Sequence, residues 1–170
     1  EICATTDTGT AVTDLDRQRS AQHNFFQFRR KHALNDRQLV SNGNPMEEIV
    51  GFSRAVRVGP FIAVGGTAPV DASGKTVGVG DVYAQTKQCF KIFKAALEDA
   101  GSGLNDIVRT RVILTDIDNW KEAIEARKHY CKGARPVDTI MAINRFVNPE
   151  WLVEIEVDAV ISSYKEGIAR

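Results

Sequence analysis

The stretch "LVEIEVDAVI", residues 152–161, constrains the fold of this chain more than any other segment. Apolar and acidic residues alternate along it, which is the period of a β-strand with one buried face. The apolar face carries Val153, Ile155, Val157, Ala159 and Ile161. The opposite face carries Glu154, Glu156 and Asp158. The chain must therefore build a sheet that covers one face of this strand and gives the other face cationic neighbours.

A second strand with matching chemistry is predicted from "DIVRTRVILTD", residues 106–116. Strict alternation directs one set of side chains to each face of this strand. We expect the core face to carry Val108, Thr110, Val112 and Leu114. The other face then carries Arg109, Arg111, Ile113 and Thr115. Cross-strand pairs between these arginines and the acidic row are predicted.

The remaining segments predict two further strands at the start of the pattern, one near the end, and two helices. "SRAVRVG" and "FIAVGG" form a hairpin that turns at Gly59-Pro60, and "VDTIMAINRF" forms a later strand. "DVYAQTKQCFKIFKAALEDAG" is a helix between Asp81 and Gly101 as caps. Its apolar stripe is typical of a core-facing helix. The stripe consists of Thr86, Cys89, Phe90, Phe93, Ala96, Leu97 and Ala100.

The second helix lies in "NWKEAIEARKHYCKG", and its inward side is predicted to carry Trp120, Ala123, Ile124, Arg127 and Cys131. The element order is therefore β-β-α-β-α-β-β. Two helices cannot cover both faces of such a sheet, so we expect an α+β fold with both helices on one face. The other face is half apolar, which favours self-association.

Composition narrows the classes of function. Lys+Arg and Asp+Glu number 22 each, so the balance does not indicate a nucleic-acid binder. No apolar run approaches the roughly 20 residues of a membrane span. Cys3, Cys89 and Cys131 form no CxxC pair, and no His, Cys or Asp spacing resembles a metal site. We expect a cytoplasmic protein without metal or cofactor, and buried thiols at Cys89 and Cys131.

Residues 1–45 differ from the rest of the chain. They are polar, with a short helix predicted around residues 19–33, and they end in the turn signal "SNGNP" before Met46. One interpretation is that Met46 is the natural start, and the other is a genuine extension. We expect residues 1–45 to be an extension, either flexible or not native, and residues 46–170 to form one domain.

Six segments in succession resemble the Rid family, the YjgF-type or RidA-like proteins. They are "GFSRAV", "FIAVGGTAPVD", "DVYAQTKQCFKIFKAALEDAG", "DIVRTRVILTDIDNW", "ARPVDT" and "LVEIEVDAV". The resemblance implies a chorismate-mutase-like mixed sheet that assembles as a homotrimeric barrel, with small-molecule pockets between subunits. It also implies hydrolysis of reactive enamines and imines to 2-oxo acids and ammonia without a cofactor.

The family pattern also implies which positions form the pocket. Glu154 matches the glutamate that places water, while Phe52 and Gly65 stand where the family has tyrosine and serine. Asp138 stands in the place of the arginine of R-P-x-R that holds the substrate carboxylate, and Arg135 is its neighbour. An asparagine of deaminating members is replaced by Ile124.

These departures leave alternatives open. Asp138 is either an ion-pair partner of a nearby arginine or a contact for a cationic or hydrogen-bonding ligand, and Glu154 is either a pocket residue or a charge pair on the barrel face. Arg54, Arg135 and Arg145 are candidates to replace the missing arginine. We expect a RidA-like protein that is not a standard 2-imino acid deaminase. The alternative is a non-catalytic ligand-binding or protein-protecting trimer.

Overall fold

The computed structural model describes residues 37–163 of the chain. In chain order these residues contain six strands and three helices, with 3₁₀ turns at Leu104–Asp106 and Ile117–Asn119. The strands are β1 (Arg37–Val40), β2 (Ala55–Val58), β3 (Phe61–Thr67), β4 (Ile107–Leu114), β5 (Val137–Ala142) and β6 (Val153–Val160). The helices are α1 (Met46–Val50), α2 (Val82–Asp99) and α3 (Trp120–Cys131).

The strands form one mixed sheet in the order β1-β2-β3-β6-β4-β5. All neighbours are antiparallel except β4 and β5, which are parallel and are joined by α3. Strand β6 lies between β3 and β4 and is antiparallel to both. Helix α2 packs on β3 and β6, and α3 packs on α2 and β4. The predicted α+β fold with the helices on one face is confirmed.

Helix α2 begins and ends where the sequence predicts. The Asp81 side chain accepts a hydrogen bond from the Ala84 N–H, and Gly101 follows the last turn with φ 78°. The predicted stripe is buried in full. The Phe90 ring meets Phe93 edge-on at 4.4 Å between centroids and stacks on Tyr130 at 4.8 Å. This aromatic cluster joins α2 to α3.

Two assignments of side chains to faces are wrong. Val108 is exposed and Ile107 is buried instead, because the β4–β6 pairing shifts register between Ile107 and Arg109. A bulge of this kind reverses the alternation on one side of it. Trp120 is also exposed, since it opens α3 at the end of the helix and Lys121 lies near its ring. The rest of β4 and β6 alternates as predicted.

The folded unit extends before Met46. Strand β1 pairs antiparallel with β2, and Val40 is 5% exposed within the core. Residues 37–40 therefore belong to the sheet, although the sequence placed them in the extension. The predicted helix around residues 19–33 and Cys3 lie outside the described residues.

The face of the sheet opposite the helices combines ion pairs with exposed apolar side chains. Arg111 lies 3.2 Å from both Glu156 and Asp158, and Arg109 lies 3.6 Å from Asp158. These are the cross-strand pairs that the alternation predicts. Exposed apolar residues surround them on the same face, namely Val58, Phe61, Val137, Met141 and Val160. Among residues 37–163, none of the helices combines the length and apolar character of a bilayer span.

The role of β1 can be tested at Val40. We expect Val40→Ala to lower the free energy of unfolding by about 1–2 kcal/mol, because it removes buried methyl groups from a packed core. Val147→Ala is the matched control, since Val147 is 96% exposed, and it should change stability by less than about 0.5 kcal/mol. Urea unfolding measures both. Equal effects of the two substitutions would show that β1 contributes nothing to the folded unit.

Candidate active site around Glu154 and Arg54

Glu154 lies on β6 opposite Ile113, on the face of the sheet away from the helices. Its side chain is half-buried. Burial raises the pKa of the Glu154 carboxyl above its ordinary value; the Arg54 charge lowers that pKa and the Glu156 charge raises it. A carboxyl with a raised pKa is a stronger base than a free carboxylate and is better suited to accept and return a proton.

Arg54 lies immediately before β2 and is only 7% exposed. Its Nη2 donates hydrogen bonds to the Gly65 carbonyl at 2.8 Å and to the Gly66 carbonyl at 2.7 Å. The two carbonyls are available because the β3–β6 pairing breaks register between Val64 and Thr67. The irregular stretch thus holds the guanidinium at the end of the sheet.

Gly66 gives the Glu154 carboxylate its space. A Cβ on Gly66 would lie 2.7 Å from Glu154 Oε2, closer than real Cβ contacts. A Cβ on Gly65 would lie 3.4 Å from Arg54 Nη2. The two glycines therefore allow the Arg54 guanidinium and the Glu154 carboxylate to approach the same short stretch of backbone. Phe52 borders the site, with its ring centroid 6.0 Å from Arg54 Cζ.

Arg54 and Glu154 interact electrostatically. Neither takes part in an ion pair within 4.0 Å among the described residues. Burial lowers the pKa of Arg54, and the Glu154 charge opposes this effect. The Arg54 Nε–H is buried and has no hydrogen-bond acceptor in the part of the chain that the structure describes. Cys89 is buried close by, and burial raises the pKa of its thiol. Cys89 is therefore a neutral core residue, as predicted.

Asp138 lies elsewhere in the subunit. It pairs in register with Thr110, whose hydroxyl donates to Asp138 Oδ1 at 2.5 Å. Arg127 from α3 places its Nε 3.4 Å from the same oxygen and 2.9 Å from Thr110 Oγ1. Arg127 Nη2 also donates to the Pro136 carbonyl at 3.4 Å. Of the two alternatives for Asp138, the ion pair with a nearby arginine is present.

The predicted site residues thus fall into two groups within one subunit. Phe52, Gly65 and Glu154 meet around Arg54. Asp138 lies on the opposite face, because Thr110 is buried under the helices while Glu154 is on the other side of the sheet.

Arg135 is not near Glu154 either. It is exposed in the turn after α3 and has φ 47°, a positive value that no other non-glycine residue shows between residues 37 and 163. Arg145 is exposed in the loop after β5, and Ile124 packs against the core.

Sequence reasoning missed Arg127 as the partner of Asp138 and Gly66 as the neighbour of Glu154. Arg127 gave a signal, since it falls among the inward-facing positions of its helix. Arg54 was already among the three arginines considered as replacements for the missing one, but its contacts with Gly65 and Gly66 were not predicted. Gly66 gave none beyond the Gly-Gly pair. Between residues 37 and 163, no group of three or more His, Cys, Asp or Glu side chains is placed to hold a metal ion.

Comparison of the sequence with those of known proteins identifies the family of this chain. The sequence profile of the Endoribonuclease L-PSP family matches residues 43–161. A RutC family protein of Pyrococcus abyssi is 34% identical over 115 residues, 68% of this chain and 87% of that protein. The 2-iminobutanoate/2-iminopropanoate deaminase of Mus musculus is 30% identical over 100 residues, 59% of this chain and 74% of the deaminase.

A solved structure extends the likeness to three dimensions. A member of the YjgF/YER057c/UK114 family from Mycobacterium tuberculosis superposes with a TM-score of 0.67 at 39% identity. The match covers 74% of this chain and 99% of the mycobacterial one. The fold and the family profile therefore coincide over the same part of the chain.

The ion pair of Asp138 can be tested by its removal. We expect Asp138→Ala to lower the free energy of unfolding by about 1.5–3 kcal/mol, because it leaves the Arg127 guanidinium and the Thr110 hydroxyl without their shared acceptor. Glu125→Ala is the matched control, since the Glu125–Lys128 pair has side chains 67% and 66% exposed. That change should cost less than about 0.5 kcal/mol. Chemical denaturation of both variants decides whether Asp138 stabilises the subunit.

The raised pKa of Glu154 predicts a pH dependence of stability. Because the folded state holds the Glu154 proton more tightly than the unfolded state, the stabilisation is complete below the unfolded pKa of about 4.3. It is lost as pH rises through the folded pKa. The difference in unfolding free energy between the native chain and Glu154→Gln should therefore fall across that window.

Urea unfolding at intervals from about pH 4 to about pH 8 measures this difference. Glu122→Gln is the control, since Glu122 is exposed on α3 and its loss should leave the Glu154 contribution in place. A difference between native chain and Glu154→Gln that is flat across the range would contradict the burial of this carboxyl.

Proposed function

We propose that this chain, which belongs to the Rid/YjgF family, hydrolyses the imine or enamine form of a small metabolite. The observation that supports this most is the half-buried Glu154 carboxyl, which interacts electrostatically with Arg54 and forms no ion pair within 4.0 Å among the described residues. Glu156 and Asp158, on the same strand face, are both paired to arginine. Glu154 is therefore the acid of that row that is available for chemistry.

The proposed reaction adds water to a C=N bond. Glu154 accepts a proton from the water as its oxygen attacks the imine carbon, which forms a tetrahedral carbinolamine. Glu154 passes that proton to the nitrogen, and a second proton, from the new hydroxyl group, follows it to the nitrogen as the C=O bond forms, the C–N bond breaks and ammonia leaves. Water supplies the oxygen and both hydrogens that the products gain, so the step needs neither metal nor organic cofactor.

We propose that the chain acts as a homotrimer with the pocket between subunits. Exposed apolar residues lie on the face of the sheet that is opposite the helices, and they support this proposal. An apolar surface of this kind is typical of a protein–protein interface. Position 138 lies on β5, an edge strand of the sheet, and in the proposed assembly this edge borders a neighbouring subunit. We place this assembly in the cytoplasm.

The protein we propose is not a standard 2-imino acid deaminase, because position 138 holds an acid where such enzymes use arginine. A second candidate function is non-catalytic ligand binding or protein protection. It is favoured by the engagement of Asp138 with Arg127 and Thr110, which gives that position a structural role.

The test is ammonia release from a small ketimine without a carboxylate, with 2-iminobutanoate, generated in the assay by an amino acid oxidase, as the anionic comparison that should be hydrolysed less well. We expect the native chain to accelerate release over the spontaneous rate, and Glu154→Gln to lower that acceleration by at least about a hundredfold. Glu156→Gln is the matched control, since it changes the same residue type on the same strand face, and it should retain most of the activity.

Two outcomes would oppose the proposal. Release at the spontaneous rate with the native chain would favour the non-catalytic candidate. Equal losses in Glu154→Gln and Glu156→Gln would indicate a general effect on the sheet face and not a role in proton transfer. Sedimentation equilibrium of the native chain checks the assembly, for which we expect three times the monomer mass.

A further inference from the structure

Arg54 holds the irregular stretch of β3 by both its main chain and its side chain. Its carbonyl accepts a hydrogen bond from the Gly65 N–H at 3.4 Å, which extends the β2–β3 ladder by one residue. Its Nη2 donates to the Gly65 and Gly66 carbonyls at 2.8 and 2.7 Å. The Thr67 hydroxyl also donates to the Gly65 carbonyl, at 2.9 Å. Arg54 and Thr67 thus bond the carbonyls that leave the β3–β6 ladder where its register shifts.

The Glu154 carboxylate lies against the same stretch of backbone. A Cβ added to Gly66 would be only 2.7 Å from Glu154 Oε2. The position of the Gly66 backbone therefore limits where the carboxylate can lie. Since the Gly66 carbonyl is bonded to Arg54, the guanidinium fixes the backbone that the carboxylate touches.

Burial opposes the charge of Arg54. The residue is 7% exposed, and burial lowers the pKa of its guanidinium. Among the groups that counter this effect, Glu154 has the largest influence, followed by Glu47 and Cys89. Two backbone carbonyls can be bonded by a neutral amide as well as by a guanidinium. The hydrogen bonds alone therefore do not require a cation at this position, whereas the neighbouring carboxylate is stabilised by one.

The charged and titratable groups around Glu154 come from several elements. Arg54, before β2, lowers the pKa of the Glu154 carboxyl, and Glu156, on β6, raises it. Cys89, on α2, also interacts with Glu154, but burial raises the pKa of the thiol and keeps it neutral. Glu47, on α1, acts on Arg54. Among these groups Arg54 is the cation.

We propose, building on the hydrolytic function above, that Arg54 is a positioning residue for Glu154: it fixes the Gly65–Gly66 backbone against which the carboxylate lies, and it provides the positive charge that stabilises the carboxylate. Arg54 acts from inside the subunit and does not contact the substrate. Glu154 must be ionised to accept a proton from water, and a displacement of about 1 Å can cost about a hundredfold in rate. Arg54 serves both requirements of the same carboxylate.

The ionisation of Glu154 tests the electrostatic role without turnover. In ¹³C-labelled protein, the Glu154 Cδ resonance, assigned by its absence in Glu154→Gln, reports the ionisation of this carboxyl as pH is raised. We expect its midpoint to move to higher pH in Arg54→Gln, because a neutral side chain does not favour the carboxylate. In Arg54→Lys, which keeps the charge, the midpoint should stay near that of the native chain.

Arg57→Gln is the matched control. Arg57, on β2, also donates to two backbone carbonyls, those of Gly59 and Ala100. It lies level with Ala159, towards the other end of β6 from Glu154. Its charge is not among those that shift the Glu154 pKa. The Glu154 midpoint in Arg57→Gln should therefore equal that of the native chain.

The pH dependence of ammonia release separates the two roles of Arg54. The rate, measured with the ketimine and corrected for spontaneous release, should rise with pH as Glu154 ionises. Arg54→Gln should shift this rise to higher pH and lower the plateau by at least about tenfold. Arg54→Lys should return the rise to near its native pH with the plateau still lowered, because lysine is one atom shorter and lacks the guanidinium fork. A structural role alone would lower the plateau without moving the rise.

A measurement on the native chain guards against variants of Arg54 that do not fold. The ¹⁵N–¹H signal of Arg54 Nε should shift as pH is raised, with the same midpoint as the Glu154 Cδ resonance. This step should be absent in Glu154→Gln.

The inference is overturned if the Glu154 midpoint is the same in the native chain and Arg54→Gln, if Arg57→Gln moves it as far, or if the Arg54 Nε signal does not follow it. These failures are separable from failure of the proposed function. An Arg54-dependent ionisation of Glu154 without ammonia release would refute the hydrolysis and keep the positioning. Glu154-dependent release with a midpoint and pH profile that Arg54→Gln leaves unchanged would refute the positioning and keep the hydrolysis.

Discussion

The rest of the subunit depends on the pairing of strand β6 with its two neighbours. It hydrogen-bonds to β3 on one side and β4 on the other, and both pairings are antiparallel. Its inward residues Val153, Ile155 and Val157 are fully buried under α2. Its outward residues Glu156 and Asp158 pair with Arg109 and Arg111 of β4. A single strand thus fixes the core on one face and the charge pattern on the other.

Most of the fold follows from local rules that the sequence displays openly. Period-two alternation located β4 and β6, and a cap at each end bounded α2. The features that could not be predicted depend on the register of strand pairing. The bulge that exposes Val108 and buries Ile107 adds one residue on one strand, and alternation alone does not show where a ladder slips. Strand β1 was missed because four residues beside a turn carry too little pattern.

The candidate site was predictable only in part, because it too depends on an irregularity in strand register. Glu154 and Gly65 were located by the family pattern, but their relation to Arg54 arises from a second irregularity, at Gly65 and Gly66 in β3. Irregular backbone brings together groups that are far apart in sequence, and single-residue matching cannot reveal that. The pairing of Asp138 with Arg127 could not be predicted from the sequence either. Arg127 lies on α3, and the sequence does not show which strand residues the helix contacts.

The contact between Asp138, Arg127 and Thr110 also limits which substitutions the protein can accept at these positions during evolution. Arginine at position 138 would set two guanidinium groups around one threonine hydroxyl, and like charges at that distance repel. Exchange at position 138 is therefore tied to exchange at position 127, and neither substitution is neutral in the background of the other. A variant that acquired arginine at position 138 would pass through a less stable intermediate unless α3 changed first. The packing of Asp138 against Arg127 and Thr110 thus restricts which residue position 138 can hold.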